Sequence, residues 1–200
     1  IAAGRQQVQT RYLTPISTDI HGDMLFTRLQ AAHVKAVAAR VAAPSSLALV
    51  NLSHGVPSYQ FYRENTAERQ ITAEGLAGNI TADDKIFHIG SLALAAISDS
   101  KLWVQTVLDC KSKGMLISFD PNVRPGLVED PIAYREVIHK MFDLADIIKC
   151  SDEDLTFIYQ DDNLDVLKKR VLETINSQKI FVITQGEQGA FFLDGEQFYH

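Results

Sequence analysis

Met24, Leu25, Leu29 and Ala32 fall near helical spacing within residues 22–34, which predicts an amphipathic helix there. The pattern then changes. Residues 47–52 and 58–62 are short runs of β-forming side chains separated by Ser53-His54-Gly55-Val56-Pro57, whose glycine and proline supply a turn, so a β-hairpin is expected. From residue 85 onward apolar runs alternate with amphipathic stretches. Strands are expected at 85–89, 115–119, 146–149 and 179–184, and helices at 99–113, after Pro131, at 152–159 and at 164–175. Pro131 suits a first helical turn because it lacks only an amide hydrogen that would be unpaired there. Ser151 can cap the helix at 152–159 by accepting from an orphan amide. Residues 190–193 and 197–199 flank Asp194-Gly195, a two-residue hairpin signal.

This alternation implies an α/β fold with a mainly parallel sheet flanked by helices, and ligands at the carboxyl ends of its strands. The early hairpin does not share that rhythm and is expected to be a small β-appendage such as a lid. The expected division is residues 1–46 as an N-terminal helical part of the α/β core, 47–64 as the lid, and 65–200 as the rest of the core. The sequence starts at Ile1 with no methionine and stops at His200, directly after the strand-like Gln197-Phe198-Tyr199. It is therefore expected to be an internal piece of a longer chain.

At 200 residues, 46% hydrophobic and 22% charged, the chain can bury a core of its own. Its formal charge of −6 argues against a broad surface for nucleic acid or anionic lipid, which needs clustered Lys and Arg. Any phosphate must be held locally. Cys110 and Cys150 are too far apart in sequence for a metal knuckle or redox pair and are expected to be buried structural thiols. No apolar run reaches the ~18 residues of a membrane span and no signal-peptide layout opens the chain, so a cytoplasmic protein is expected. Two matches to the glycosylation pattern, at Asn51 and Asn79, are then chance. The six histidines show no metal-ligand or triad spacing.

Four polar segments carry candidate chemistry. Asp120-Pro121-Asn122-Val123-Arg124-Pro125 follows an apolar strand, and its two prolines stiffen it. An arginine fork there suits a phosphate or a polyhydroxylated substrate, while the alternative is a turn whose Asp and Asn bond their own backbone. Lys149-Cys150-Ser151-Asp152-Glu153-Asp154 joins a strand end to a helix start, where acidic residues also complement the helix dipole. Capping is one reading; in the other, Asp154 orients a water-bound magnesium and Lys149 faces phosphate. Thr184-Gln185-Gly186-Glu187-Gln188-Gly189 has glycines that let amides approach phosphate, or that simply turn one strand into the next. Finally, Tyr59-Gln60-Phe61-Tyr62-Arg63 alternates along the hairpin, with Arg63 expected as the charged tip of a lid. The chain has no G-x-x-x-x-G-K-[ST] loop, and no two glycines are separated by a single residue, so Walker and Rossmann fingerprints are both absent.

In this order the segments resemble the PfkB-type, ribokinase-like carbohydrate kinase family, and more narrowly its fructokinase and 2-keto-3-deoxygluconate kinase branch. Asp19-Ile20-His21-Gly22-Asp23 is similar to the family's D-x-F-G-D, and Pro44-Ser45-Ser46-Leu47-Ala48 to the start of its lid. Phe61-Tyr62-Arg63 resembles its substrate-facing strand. Asp120, Asn122 and Arg124 match D-x-N-x-R; Lys149 and Ser151 match K-x-S; Thr184, Gly186 and Gly189 match T-x-G-x-x-G. The resemblance implies phosphate transfer from ATP to a sugar hydroxyl, with Mg2+, often K+ activation, and frequently a homodimer formed through the lid. It implies sugar contacts from Tyr62, Arg63, Asn122 and Arg124. Asp120, Lys149, Ser151, Thr184, Gly186, Glu187 and Gly189 would line the nucleotide side, and Asp154 the metal.

The departures are specific. Residues 1–9 do not reproduce the family's sugar-gripping G-G-x-x-x-N, and the G-A-G-D motif that supplies an anion hole and the general base does not occur in the 200 residues. His21 stands where an aromatic is usual, and Asp154 where a glutamate is usual, one methylene shorter. The expectation is a fragment without sugar kinase activity alone. The competing expectations are a non-catalytic module for lid-mediated dimerisation or ligand binding, and a generic α/β nucleotide-binding domain. Fructose, 2-keto-3-deoxygluconate and a riboside all suit an arginine-bearing lid.

Overall fold

Hydrophobic patterning resolves into two compact units, Ile1–Thr81 and Ala82–His200. The structure is a computed structural model and describes residues 1–53, 56–175, 178–194 and 197–200. The expected turn residues His54, Gly55 and Gly195 lie outside the described residues.

In the first unit, helix α1 (Ala2–Arg5) precedes strands β1 (Thr10–Tyr12) and β2 (Ile16–Ser17). Helix α2 (Ile20–Ala31), β3 (Val34–Ala36) and β4 (Arg40–Val41) follow, and β1 pairs with β3 and β2 with β4, both in parallel. Asp19 caps α2, accepting from the Gly22 amide at 2.7 Å. Gly22 has no room for a side chain, because a Cβ there would lie 1.9 Å from the Ser17 carbonyl oxygen. The predicted helix over 22–34 ends sooner than expected: His33 takes a left-handed φ of 58°, and Val34 leaves to pair in β3. Leu29 and Ala32 do enter the core, with Ile16 and Val34, whereas Met24 and Leu25 stay exposed. The hairpin is longer than predicted. Strands β5 (Leu47–Ser53) and β6 (Val56–Tyr62) pair antiparallel from Leu47↔Tyr62 to Ser53↔Val56, and Tyr59 stacks on Phe61 at 6.0 Å. Helix α3 (Ala73–Asn79) completes the unit.

The second unit contains β7 (Ile86–Gly90), α4 (Ile97–Ser112), β8 (Leu116–Asp120), α5 (Pro131–Leu144), β9 (Ile147–Ser151), α6 (Asp152–Tyr159), α7 (Leu164–Thr174), β10 (Ile180–Thr184), β11 (Ala190–Asp194) and β12 (Gln197–Tyr199). One six-stranded sheet runs in the order β7 to β12; β7 to β10 are parallel, and β11 and β12 antiparallel. Period-two alternation sends Phe87, Ile89, Ile117, Phe119, Ile148, Cys150, Phe181 and Ile183 to one face, all of them buried. Helices α4 and α5 pack on β8, and α6 on β9. Phe142 of α5 meets Phe119 and Phe181 edge-on, at 6.0 and 5.9 Å. Burial of each such ring is worth about 1.5–3 kcal/mol. Cys110 and Cys150 are free, buried thiols, and burial pushes both up from the usual thiol range. Among the described residues no helix is long and apolar enough to cross a membrane.

Candidate functional site

Four parallel strands end side by side at Gly90, Asp120, Ser151 and Thr184. Gly90 faces Asp120 in register, and a Cβ at Gly90 would sit 1.8 Å from the Asp120 carbonyl oxygen, so only glycine lets the two strand ends approach. Ser91 continues the contact. Its amide donates to the Pro121 carbonyl at 3.0 Å and its hydroxyl to the Asn122 carbonyl at 3.1 Å.

The loop after β8 is sharply turned, with Asn122 at a φ of 39°. The turn alternative for this loop had Asp and Asn side chains bonding their own backbone. Asp120 does otherwise: its Oδ2 lies 3.3 Å from Lys149 Nζ, and its Oδ1 is buried with no hydrogen-bond partner. It is Arg124 that bonds the loop, through Nη1 to the Val123 carbonyl at 2.9 Å. From the far side, Asp154 Oδ1 accepts from the Val123 amide at 2.7 Å. The loop is thereby fastened to the turn that follows β7 on one flank and to α6 on the other.

Lys149 and Ser151 lie inside β9, which runs two residues further than predicted. Ser151 is both the last strand residue and the cap of α6. Its hydroxyl accepts from the Asp154 amide at 3.0 Å while Asp154 Oδ2 accepts from the Ser151 amide at 2.8 Å, a reciprocal capping box. Asp154 is 4% exposed, and each of its oxygens already receives a backbone amide. That geometry is the capping alternative, with one amide on each carboxylate oxygen. Among the described residues no group of three or more His, Cys, Asp or Glu side chains could hold a metal ion.

At the end of β10 the Thr184 hydroxyl donates to the Cys150 carbonyl at 3.4 Å, and Gln185 Nε2 to Asp152 Oδ2 at 3.4 Å. Gly186 and Gly189 take φ of 53° and 96°, and the Gln185 amide donates to the Gly189 carbonyl at 2.9 Å. This is a strand-turn-strand connection whose residues Gly186, Glu187 and Gly189 are exposed, and the Gln185, Gln188 and Gly189 amides already donate to carbonyls within it.

In the first unit, Arg63 is not the tip of the hairpin. It follows Tyr62, which pairs with Leu47 at the hairpin's base, and its side chain is 9% exposed with Nε 3.2 Å from Glu68 Oε1. Tyr62 is half exposed. Sequence reasoning missed Gly90, Ser91 and His88, although a Gly-Ser pair directly after a predicted strand was the same signal that singled out the other segments. His88 Nδ1 lies 3.0 Å from Ser118 Oγ; partial desolvation lowers its pKa, opposed by the charge of Asp120.

The sequence matches the pattern of the pfkB family carbohydrate kinase over residues 1–200. The chain belongs to the pfkB carbohydrate kinase family. This kinase-family chain is 34% identical over 191 residues to a fructokinase of Rhizobium leguminosarum bv. trifolii, covering 95% of the chain and 57% of that protein. It is 36% identical over 153 residues to fructokinase-2 of Oryza sativa subsp. japonica, covering 76% of the chain and 45% of the relative. The chain thus spans about half the length of the curated relatives it matches. In structure it is similar to the Vibrio cholerae O395 fructokinase in its fructose-, ADP- and calcium-bound form, with a TM-score of 0.84 and 19% identity over 99% of this chain and 64% of that one. The ribokinase-like α/β fold expected from the motifs is the fold observed.

Proposed function

We propose that this chain carries sugar-facing and nucleotide-facing parts of a fructokinase-like enzyme that transfers phosphate from ATP to a sugar hydroxyl. The observation that carries this reading is the convergence of Asp120–Arg124, Lys149–Ser151 and Thr184–Gly189 at the ends of adjacent parallel strands. Asn122 and Arg124 are proposed to contact the sugar; Tyr62 and Arg63 of the first unit are proposed as sugar contacts on the family resemblance. Asp120, Lys149, Ser151, Thr184, Gly186, Glu187 and Gly189 are proposed for the nucleotide side. Lys149 supplies a positive charge for phosphate, and the turn is proposed to offer the Gly186 and Glu187 amides, its other amides being bonded to carbonyls. The Vibrio fructokinase with bound fructose and ADP supports that choice of ligands.

Nearly buried and with one amide on each oxygen, Asp154 does not fit as a direct magnesium ligand. Phosphoryl transfer depends on positioning and on charge stabilisation in the transition state. The 200 residues contain no G-A-G-D segment to provide an anion hole and a base. The chain alone is therefore proposed to bind ligand without turnover. A lid role for residues 47–64, with a homodimer through it, is supported by the exposed Leu49, Val50 and Tyr59. A cytoplasmic place would suit an ATP-using sugar kinase.

Thermal unfolding of residues 1–200 with and without Mg-ATP or fructose tests the reading. Either ligand should raise the midpoint, because a ligand that binds only the folded state stabilises it. No shift with either would overturn the binding claim, and fructose-dependent ATP turnover would overturn the claim of inactivity.

A further inference from the structure

Asp154 is a nearly buried carboxylate that serves two elements at once. One oxygen closes the cap of its own helix, at 2.8 Å from the Ser151 amide. That bond is local and would satisfy α6 by itself. The other oxygen receives the Val123 amide at 2.7 Å, from a loop on the neighbouring strand. Val123 is 6% exposed and lies outside any strand, so its amide has no ladder partner and needs another acceptor. An ionised acceptor makes that bond stronger than a neutral one. The residues on each side of Val123 carry the proposed sugar contacts, Asn122 and Arg124. The capping residue Ser151 itself, and Lys149 two residues before it, carry proposed nucleotide contacts.

The geometry points to Asp154 as a positioning residue, whose single carboxylate fixes the Asp120–Arg124 loop against the Lys149–Ser151 segment. The names given to the two halves rest on the proposed kinase function; the bracing does not. A cap alone predicts that disturbing α6 disturbs the loop equally, whichever member of the capping box is changed. A brace predicts that only Asp154 matters to Val123. The neighbouring clamp, Ser91 on the Pro121 and Asn122 carbonyls, holds the loop's acceptors and cannot replace an acceptor for the Val123 donor.

Amide hydrogen exchange on residues 1–200, comparing wild type with S151A and D154A, separates the two. Both variants should speed exchange in the first turn of α6. Only D154A should release Val123, by about 10- to 100-fold, the range for a hydrogen bond to a charged group. Equal release of Val123 in S151A, or a Val123 amide still protected in D154A, overturns the proposal. Should D154A fail to fold, the wild type suffices: a scalar coupling across the hydrogen bond from the Val123 amide nitrogen to the Asp154 carboxylate carbon is expected, and its absence overturns the brace. Mn2+ added without nucleotide should leave the Ser151 and Asp154 amide signals sharp. Selective broadening there would instead make Asp154 a metal ligand. None of these readouts requires sugar or ATP to bind, so failure of the kinase reading would leave them unchanged.

Discussion

Lys149 Nζ lies 3.3 Å from Asp120 Oδ2, and the other oxygen of the same carboxylate is buried without a hydrogen-bond partner. The side chains are 40% and 26% exposed, so the ion pair is partly solvated and worth about 0–1 kcal/mol. The orphan oxygen costs more, about 1–3 kcal/mol for a buried acceptor left unmet.

The D120N variant gives up a weak pair and also replaces the unmet charged oxygen by a neutral amide that still needs a partner, so its stability should change by no more than about 1–3 kcal/mol. Its response to ligand should change more. The rise in unfolding midpoint with Mg-ATP should shrink or vanish, because Lys149 loses its partner and the carboxylate acceptor is gone. Calorimetric scans of both proteins with and without nucleotide would check this, and a full nucleotide shift in D120N would remove Asp120 from the binding surface.

Gly90→Ala places a methyl group 1.8 Å from the Asp120 carbonyl oxygen, a contact that only a backbone shift can relieve. Overpacking of this kind costs about 1–3 kcal/mol. Because the crowded atom begins the 120–124 loop, the variant should also weaken any fructose-dependent stabilisation. Denaturant unfolding gives the first quantity, and the fructose-induced midpoint shift gives the second. By contrast, Gly126→Ala meets nothing within 4 Å and should leave both nearly unchanged.

Most of the second unit was legible because its strands are short, alternate cleanly, and are separated by helices, of which α5, α6 and α7 carry side-chain caps. Ser151 and Pro131 did as their positions predict, the first capping α6 and the second opening α5. The first unit was less legible. Met24 and Leu25 sit at helical spacing with Leu29, yet they remain exposed, because period alone cannot say which arc of a helix the tertiary structure covers. Arg63 was expected at a hairpin tip, but the strands pair through Tyr62 and place it at the base. The 31-residue reach from Val123 to Asp154 could not be read locally. It depends on two strands lying side by side, and only the parallel pairing of β8 with β9 brings it about.

Asp19 couples the first unit's stability to acid. Its carboxylate accepts from the Ser45 amide at 2.7 Å, the Gly22 amide at 2.7 Å and the Ser45 hydroxyl at 2.8 Å, which hold its pKa far below the usual carboxylate range. A folded pKa below the unfolded value means that the unfolded state binds the proton first. The stabilisation is thus complete above about pH 4, the unfolded value, and is lost as pH falls through the folded pKa. The D19N variant should unfold with a midpoint that depends less on pH below about 4 than that of the wild type. Parallel unfolding curves over that acid range would show that Asp19 does not carry the dependence.

Glu68 orients Arg63 through Nε alone, at 3.2 Å, and the two side chains are 9% and 19% exposed. Removing one partner of so enclosed a pair leaves an uncompensated charge, at a cost of about 3–5 kcal/mol in the fully buried limit. Some solvent reaches Glu68, so E68A should lose less than that, on the order of 1–3 kcal/mol. E68Q keeps a hydrogen-bond acceptor for Nε and should recover part of the loss. If Arg63 contacts the sugar, as proposed, E68A should also reduce the fructose-induced midpoint shift, and E68Q should restore it along with stability. A variant that loses stability but keeps the full fructose response would show Glu68 to be a packing partner only, and would take Arg63 out of the sugar contacts.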